Sequence, residues 1–175
     1  MKTPTFDRIG DEGIRYTHFS VAAVCSPTRG SLLTGYNVHQ IGTGIISEFA
    51  TGYPGYNSQI DYSTPSIAKI LTDNGYATAA FGKWHNTPME EASPAGPFES
   101  WPTGIWGFEY FWGFLGGETN QFHPLLYENN TAIETPKTNA DGSKFHISHG
   151  MADQAIKWLD NWKGLRDVPF FMYYT

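Results

Sequence analysis

The run Pro169-Phe170-Phe171-Met172-Tyr173 offers water no polar side of a strand. Five consecutive apolar or aromatic residues are too few for a buried helix. They fit a strand covered on both faces, as the central strands of parallel sheets are. Such a sheet must be paved by helices. One lies just upstream, over Ile147 to Lys163, where Ile147, Met151, Ala155, Leu159 and Trp162 recur at spacings of three and four. Thr64-Pro65 opens another helix, with Ile67, Ile70 and Leu71 on one face and Asn74-Gly75 closing it. Tyr76 to Phe81 then reads as a strand. Thr3-Pro4 caps a helix that stops at Gly13, Ile14 to Val21 alternates as a strand, and a short helix follows Pro27 and ends at Gly35. Helices alternating with strands predict an α/β fold, a three-layer sandwich with a mostly parallel central sheet. Three strands make a thin sheet, so residues 1–175 read as part of a larger domain cut at both ends.

The stretch from Tyr36 to Tyr62 is rich in Gly, Tyr, Asn and Ser and reads as loop. Residues 86–141 are predicted to be mostly irregular, with an aromatic-glycine block from Trp101 to Gly117 that packs on the main body or walls a cleft. Composition narrows the function classes. Aromatic residues make up 16% of the chain and charged residues 16%, too apolar a balance for disorder. A net charge of -6 lacks the basic footprint of a nucleic-acid binder. One cysteine allows no internal disulfide framework. The first ten residues lack the apolar core of a signal peptide, and no apolar run is long enough to span a bilayer, so no membrane partner is expected. Compartment stays open between periplasmic or secreted and cytoplasmic.

That cysteine lies in Cys25-Ser26-Pro27-Thr28-Arg29, between the predicted strand and helix. A free cysteine is commonly a small buried hydrophobe. At a helix N-terminus, with Arg29 one turn on, it also has the setting of a nucleophile or anion contact. Thr34-Gly35 extends the pattern to Cys-x-Pro-x-Arg-x(4)-Thr-Gly. Some forty residues later, Gly75-Tyr76-Ala77-Thr78-Ala79-Ala80-Phe81-Gly82-Lys83-Trp84-His85 ends a strand on a Lys and a His. By spacing alone Arg29 and Lys83 are equally readable as surface charges, and His85 as a core histidine.

These two segments together resemble the paired signatures of the type I sulfatases. The chain is similar to the N-terminal portion of an arylsulfatase catalytic domain of the alkaline-phosphatase-like superfamily. Thr3-Pro4-Thr5-Phe6-Asp7-Arg8, Gly107-Phe108-Glu109-Tyr110-Phe111 and Gly116-Gly117-Glu118-Thr119-Asn120-Gln121 extend the resemblance over nearly the whole chain. It implies a sulfuric ester hydrolase whose Cys25 is oxidised by a separate formylglycine-generating enzyme, the aldehyde hydrating to a diol. One diol hydroxyl attacks sulfur and the alcohol departs; the second then loses its proton, expels sulfate and restores the aldehyde. The resemblance further implies that Arg29 braces the diol or a metal-bound oxygen, that Lys83 binds sulfate oxygens and that His85 is the base in the elimination. Calcium, or magnesium in some members, would touch Cys25 as formylglycine. The family's other ligands, a pair of aspartates and an Asp-Asn pair, lie outside residues 1–175, and Asp7, Asp11 and Asp73 stand in the wrong contexts. The 175 residues alone are therefore expected to bind metal weakly and turn over little. A sulfate-ester small molecule or sulfated carbohydrate is the implied substrate.

His39, in a glycine-bearing loop after the Cys25 helix, is a candidate for substrate binding at the pocket rim. Glu118, Asn120 and His123 are candidates for contact with the organic part of a substrate. His146 and His149 fit helix-cap polarity better than a site. Two alternatives remain: a phosphonate or phosphate monoester hydrolase of the same superfamily, and a non-catalytic carbohydrate-binding module stacking sugars on Trp101, Trp106 and Trp112.

Overall fold

A computed structural model describes residues 2–165 and 167–175. Among the described residues four helices and five strands follow one another as α1 (Pro4–Glu12), α2 (Cys25–Thr34), α3 (Ile67–Asp73), β1 (Ala77–Lys83), β2 (Tyr110–Phe114), β3 (Leu126–Glu128), β4 (Thr131–Ile133), α4 (Ile147–Leu165) and β5 (Phe170–Tyr174). Single 3₁₀ turns occupy Ser47–Phe49 and Met89–Glu91. The sheet order is β4-β3-β2-β1-β5. β1 runs parallel to β2 and β5, and β3 and β4 add an antiparallel margin.

Alternation along each strand divides the core into two layers. Ala80 of β1, Phe111 of β2, Tyr127 of β3 and Tyr173 of β5 face one side, where Leu33 of α2 and Ala68 of α3 meet Trp84, Trp101, Trp106 and Phe108. Ala79, Phe81, Trp112 and Leu126 face the other, against Phe145 and against Ile147 and Ala155 of α4. The result is a three-layer α/β sandwich. Trp84 is the hub of the first layer, with edge-on ring contacts to Trp106 at 4.9 Å, Phe108 at 5.9 Å and Phe111 at 6.4 Å. The tryptophans proposed as a sugar platform are in this core: Trp101, Trp106 and Trp112 are 0%, 2% and 4% exposed. Rings packed inside cannot stack on a ligand, which removes the carbohydrate-binding-module alternative as built on them.

Several expectations need correction. Residues 14–24 form no strand, and Ile14, Tyr16, Phe19 and Val21 are exposed. Alternation there has no neighbouring strand to pair with, so no strand separates α1 from α2. Ser66, not Thr64, caps α3, its hydroxyl accepting the Lys69 N–H. The face α3 buries carries Ala68, while Ile67 and Ile70 are exposed. The aromatic block, read as irregular, supplies β2 through Tyr110–Phe114, and β3 and β4 follow it. Among the described residues β5 pairs with β1 alone, whereas β1, β2 and β3 each have a neighbour on both sides. Along β5 only Tyr173 is buried, while Phe170 and Tyr174 are exposed.

The carboxyl end of β1 is packed unusually closely. Gly82 lies in register with Gly113 of β2, and a Cβ on Gly113 would overlap the Gly82 carbonyl. Gly82 itself has φ 99°, a conformation side chains disfavour.

Removing the Trp106 ring opens the first core layer. Trp106→Ala is expected to cost about 3–5 kcal/mol in denaturant unfolding. The Trp106 indole N–H is buried without a partner among the described residues. Trp106→Phe sheds that group and should cost clearly less.

Candidate active site

The local sequence explains how each side chain reaches the site. Pro27 at the third position of α2 starts the helix on Cys25, and Gly35 ends it in the left-handed conformation, φ 75°. β1 ends at Lys83, placing Lys83 and His85 at the carboxyl end of a parallel strand, where open α/β sheets bind ligands. The chain bends sharply there: His85 has φ 62°. Its N–H donates to the Leu115 carbonyl at 2.9 Å, just beyond β2.

Cys25 Sγ lies 3.0 Å from His85 Nδ1 although the residues are 60 apart in sequence. The other ring nitrogen, Nε2, is 3.0 Å from Glu48 Oε1 and 2.8 Å from Oε2. Arg29 Nη1 donates to the Lys83 carbonyl at 2.8 Å and to Thr175 Oγ1 at 2.9 Å, and Thr175 Oγ1 donates to the same carbonyl at 2.9 Å. The Asn86 amide, oriented with its nitrogen inward, donates to the His85 carbonyl at 3.1 Å and the Ser26 carbonyl at 3.0 Å. α2, β1 and β5 are thereby clamped together around Cys25. Among the described residues no hydrogen bond or ion pair engages the Lys83 ammonium.

Burial lowers the His85 pKa from its ordinary value; the Glu48 hydrogen bond and charge pull it up without overcoming burial, and the Lys83 and Arg29 charges add to the lowering. Burial acts to raise the Glu48 pKa, but hydrogen bonds from His85 and from its own backbone N–H leave it lowered. At neutral pH the site therefore holds an ionised carboxylate, a neutral imidazole, a guanidinium and an ammonium. It is locally positive in an acidic chain, with an imidazole nitrogen against Cys25, a setting that suits an anion.

Among the described residues no three His, Cys, Asp or Glu side chains converge as a cation cage. The partner of Cys25 is an imidazole, so the residues present do not form a calcium site by themselves.

Four of the residues singled out in the sequence, Cys25, Arg29, Lys83 and His85, meet here. His39 does not line up with them. Its ring contacts Tyr56 Oη at 3.1 Å and Asn37 Oδ1 at 3.1 Å, and it borders a separate cavity of about 630 Å³ with Tyr62, Glu91 and Ser100. Asn120 Oδ1 accepts the N–H groups of Phe122 and His123, a turn-forming role. His146 Nδ1 accepts the Ser148 N–H at 3.2 Å, in keeping with cap polarity. Glu48, Asn86 and Thr175 belong to the site without a sequence signal. Only the fold reveals that an exposed-looking acid in a glycine-rich loop faces His85.

Solved structures place this architecture among the sulfatases. BT4656 in complex with its substrate D-glucosamine-2-N,6-O-disulfate superposes with a TM-score of 0.65 at 26% identity, over 99% of this chain and 29% of that one. A second neighbour of the same fold, yidJ of Bacteroides fragilis, gives 0.64 at 22% identity, over 99% of this chain and 37% of that one. An uncharacterised sulfatase of Schizosaccharomyces pombe is 33% identical over 99% of this chain and 32% of its own length. The arylsulfatase of Klebsiella aerogenes is 25% identical over 91% of this chain and 34% of its own. The chain thus spans about a third of the curated relatives it matches. The sulfatase family model matches residues 1–175, and the chain belongs to the sulfatase family.

An NMR titration should place the His85 midpoint below about 6.5, the usual imidazole value. Glu48→Gln removes an influence that raises it, so the midpoint should fall further. The sign for stability follows. An imidazole whose folded pKa lies below its unfolded one binds fewer protons folded, so His85 costs stability as pH falls through that window.

Proposed function

We propose that this chain supplies the nucleophile and part of the anion-binding shell of a sulfuric ester hydrolase of the arylsulfatase type. The observation that carries the reading is the 3.0 Å contact of Cys25 Sγ with His85 Nδ1 in a site that also holds Arg29 and Lys83. As formylglycine, Cys25 would supply a hydrated aldehyde whose two hydroxyls serve the attack and the release of sulfate. The conversion requires a separate formylglycine-generating enzyme and an external oxidant. Two electrons leave Cβ, the sulfur departs as sulfide and water provides the aldehyde oxygen.

Part of the remaining work falls to side chains of this chain. His85 Nδ1, in hydrogen-bond reach of the group at position 25, takes a proton from it. The Lys83 ammonium is available to sulfate oxygens and to charge developing on them. Arg29 contributes its positive charge, but Nη1 is committed to the Lys83 carbonyl and Thr175, so its first task is to fix the strand end that carries Lys83 and His85. A divalent cation would polarise the sulfate ester; of the described residues only Cys25 is a candidate to touch it. A sulfate-ester small molecule or sulfated carbohydrate is the substrate class, the latter supported by the disulfated glucosamine in the BT4656 structure.

In a host with the modifying enzyme, peptide mass spectrometry should find Cys25 as the lighter aldehyde. Thiol alone would remove the nucleophile. The intact protein should hydrolyse an aryl sulfate faster than the matching aryl phosphonate, and the reverse order would transfer the site to phosphonate chemistry. Lys83→Ala should lower kcat for the sulfate about 10²–10³-fold.

A further inference from the structure

Glu48 has no part in the reading just given, yet it holds His85 more closely than any other side chain does. It sits in the single 3₁₀ turn Ser47–Phe49, whose first residue is buried and donates from Ser47 Oγ to Glu48 Oε2 at 3.2 Å. Both carboxylate oxygens lie within 3.0 Å of His85 Nε2. The His85 side chain is 3% exposed, so water offers the ring little alternative. Gly117 makes the room for this pair. A Cβ there would stand 2.8 Å from His85 Cε1, 2.9 Å from Nε2 and 3.2 Å from Glu48 Oε1. The histidine backbone is held as well, by Leu115 through its N–H and by Asn86 through its carbonyl.

We propose that Glu48 is a positioning residue that fixes the His85 ring with its proton on Nε2, leaving Nδ1 bare toward Cys25. An ionised carboxylate has no hydrogen to give and can only accept. The nitrogen that faces it at 2.8 Å must therefore be the N–H. In a neutral imidazole the other nitrogen is then a lone-pair acceptor, and that nitrogen is the one 3.0 Å from Cys25 Sγ. Without Glu48 the ring is free to carry its proton on Nδ1, where it donates toward position 25 and accepts nothing from it. The proton inventory is unchanged between the two forms; only its address differs. The catalytic meaning of this arrangement rests on the hydrolase reading above, whereas the tautomer itself does not.

The test uses the intact protein labelled with ¹⁵N-histidine and observed at neutral pH, alongside turnover of an aryl sulfate. Wild type should show His85 as the Nε2–H form, with Nδ1 unprotonated. Glu48→Ala should show a mixture of both forms and lose about 10–100-fold in kcat, the scale found when the hydrogen-bond partner that orients a metal-bound histidine is removed. Its KM should change little, because the substrate keeps its own contacts. Glu48→Gln is nearly isosteric and keeps an acceptor oxygen, so it should restore the Nε2–H form and most of kcat. A wild-type ring protonated on Nδ1, or a folded Glu48→Ala protein with unchanged tautomer and unchanged kcat, would overturn the assignment. If Glu48→Ala does not fold, the wild-type and Glu48→Gln spectra still decide it. Failure of the wild type to cleave sulfate esters would defeat the hydrolase reading alone, since the spectra judge Glu48 independently.

Discussion

The Arg29 hydrogen bond to the Lys83 carbonyl, 2.8 Å long, is the tie on which the site depends. It joins the second turn of α2 to the last residue of β1. Through Thr175 the same guanidinium also reaches the residue that follows β5. A carbonyl at the end of a strand has lost its ladder partner and must find a donor elsewhere. Here the donor is the Arg29 guanidinium, one nitrogen of which reaches both the carbonyl and Thr175. Everything chemical follows from that junction: Cys25 stands one turn before Arg29, and His85 two residues after Lys83.

Around this tie the aromatic residues perform an unexpected service. Trp84 lies between Lys83 and His85 in sequence and is fully buried, its indole meeting Trp106, Phe108 and Phe111 edge-on. Burying the middle residue of a three-residue segment points its neighbours away from that core. The aromatic block therefore shapes the site from behind. Its rings are anchors for the backbone and not contact surfaces for a ligand.

Much of this was legible in residues alone, for identifiable reasons. Helix α4 announced itself by apolar spacing and α2 by Pro27 and Gly35, both local signals. Cys25, Arg29, Lys83 and His85 sit in motifs dense enough to be recognised. What could not be read is whatever depends on pairing across distance. Ile14 to Val21 has strand-like alternation but no neighbour, while Tyr110–Phe114 looks like a run of bulky rings and becomes a strand because β1 lies beside it. Glu48 is the sharpest case. Nothing within ten residues of it distinguishes it from a solvated loop acid, and its importance lies wholly in a ring 37 positions away.

The left-handed backbone of His85, φ 62°, carries a further consequence. A side chain in that region costs on the order of 1–2 kcal/mol, which glycine would not incur. The fold accepts that expense at one of the few places where glycine would have no ring to offer. Conformational comfort and proton chemistry thus compete for a single position, and chemistry has won. The histidine is held in place by its surroundings against its own backbone preference. The site's precision is consequently a property of the whole sandwich: the tryptophan layer and the β1–β2 junction both bear on where the imidazole stands.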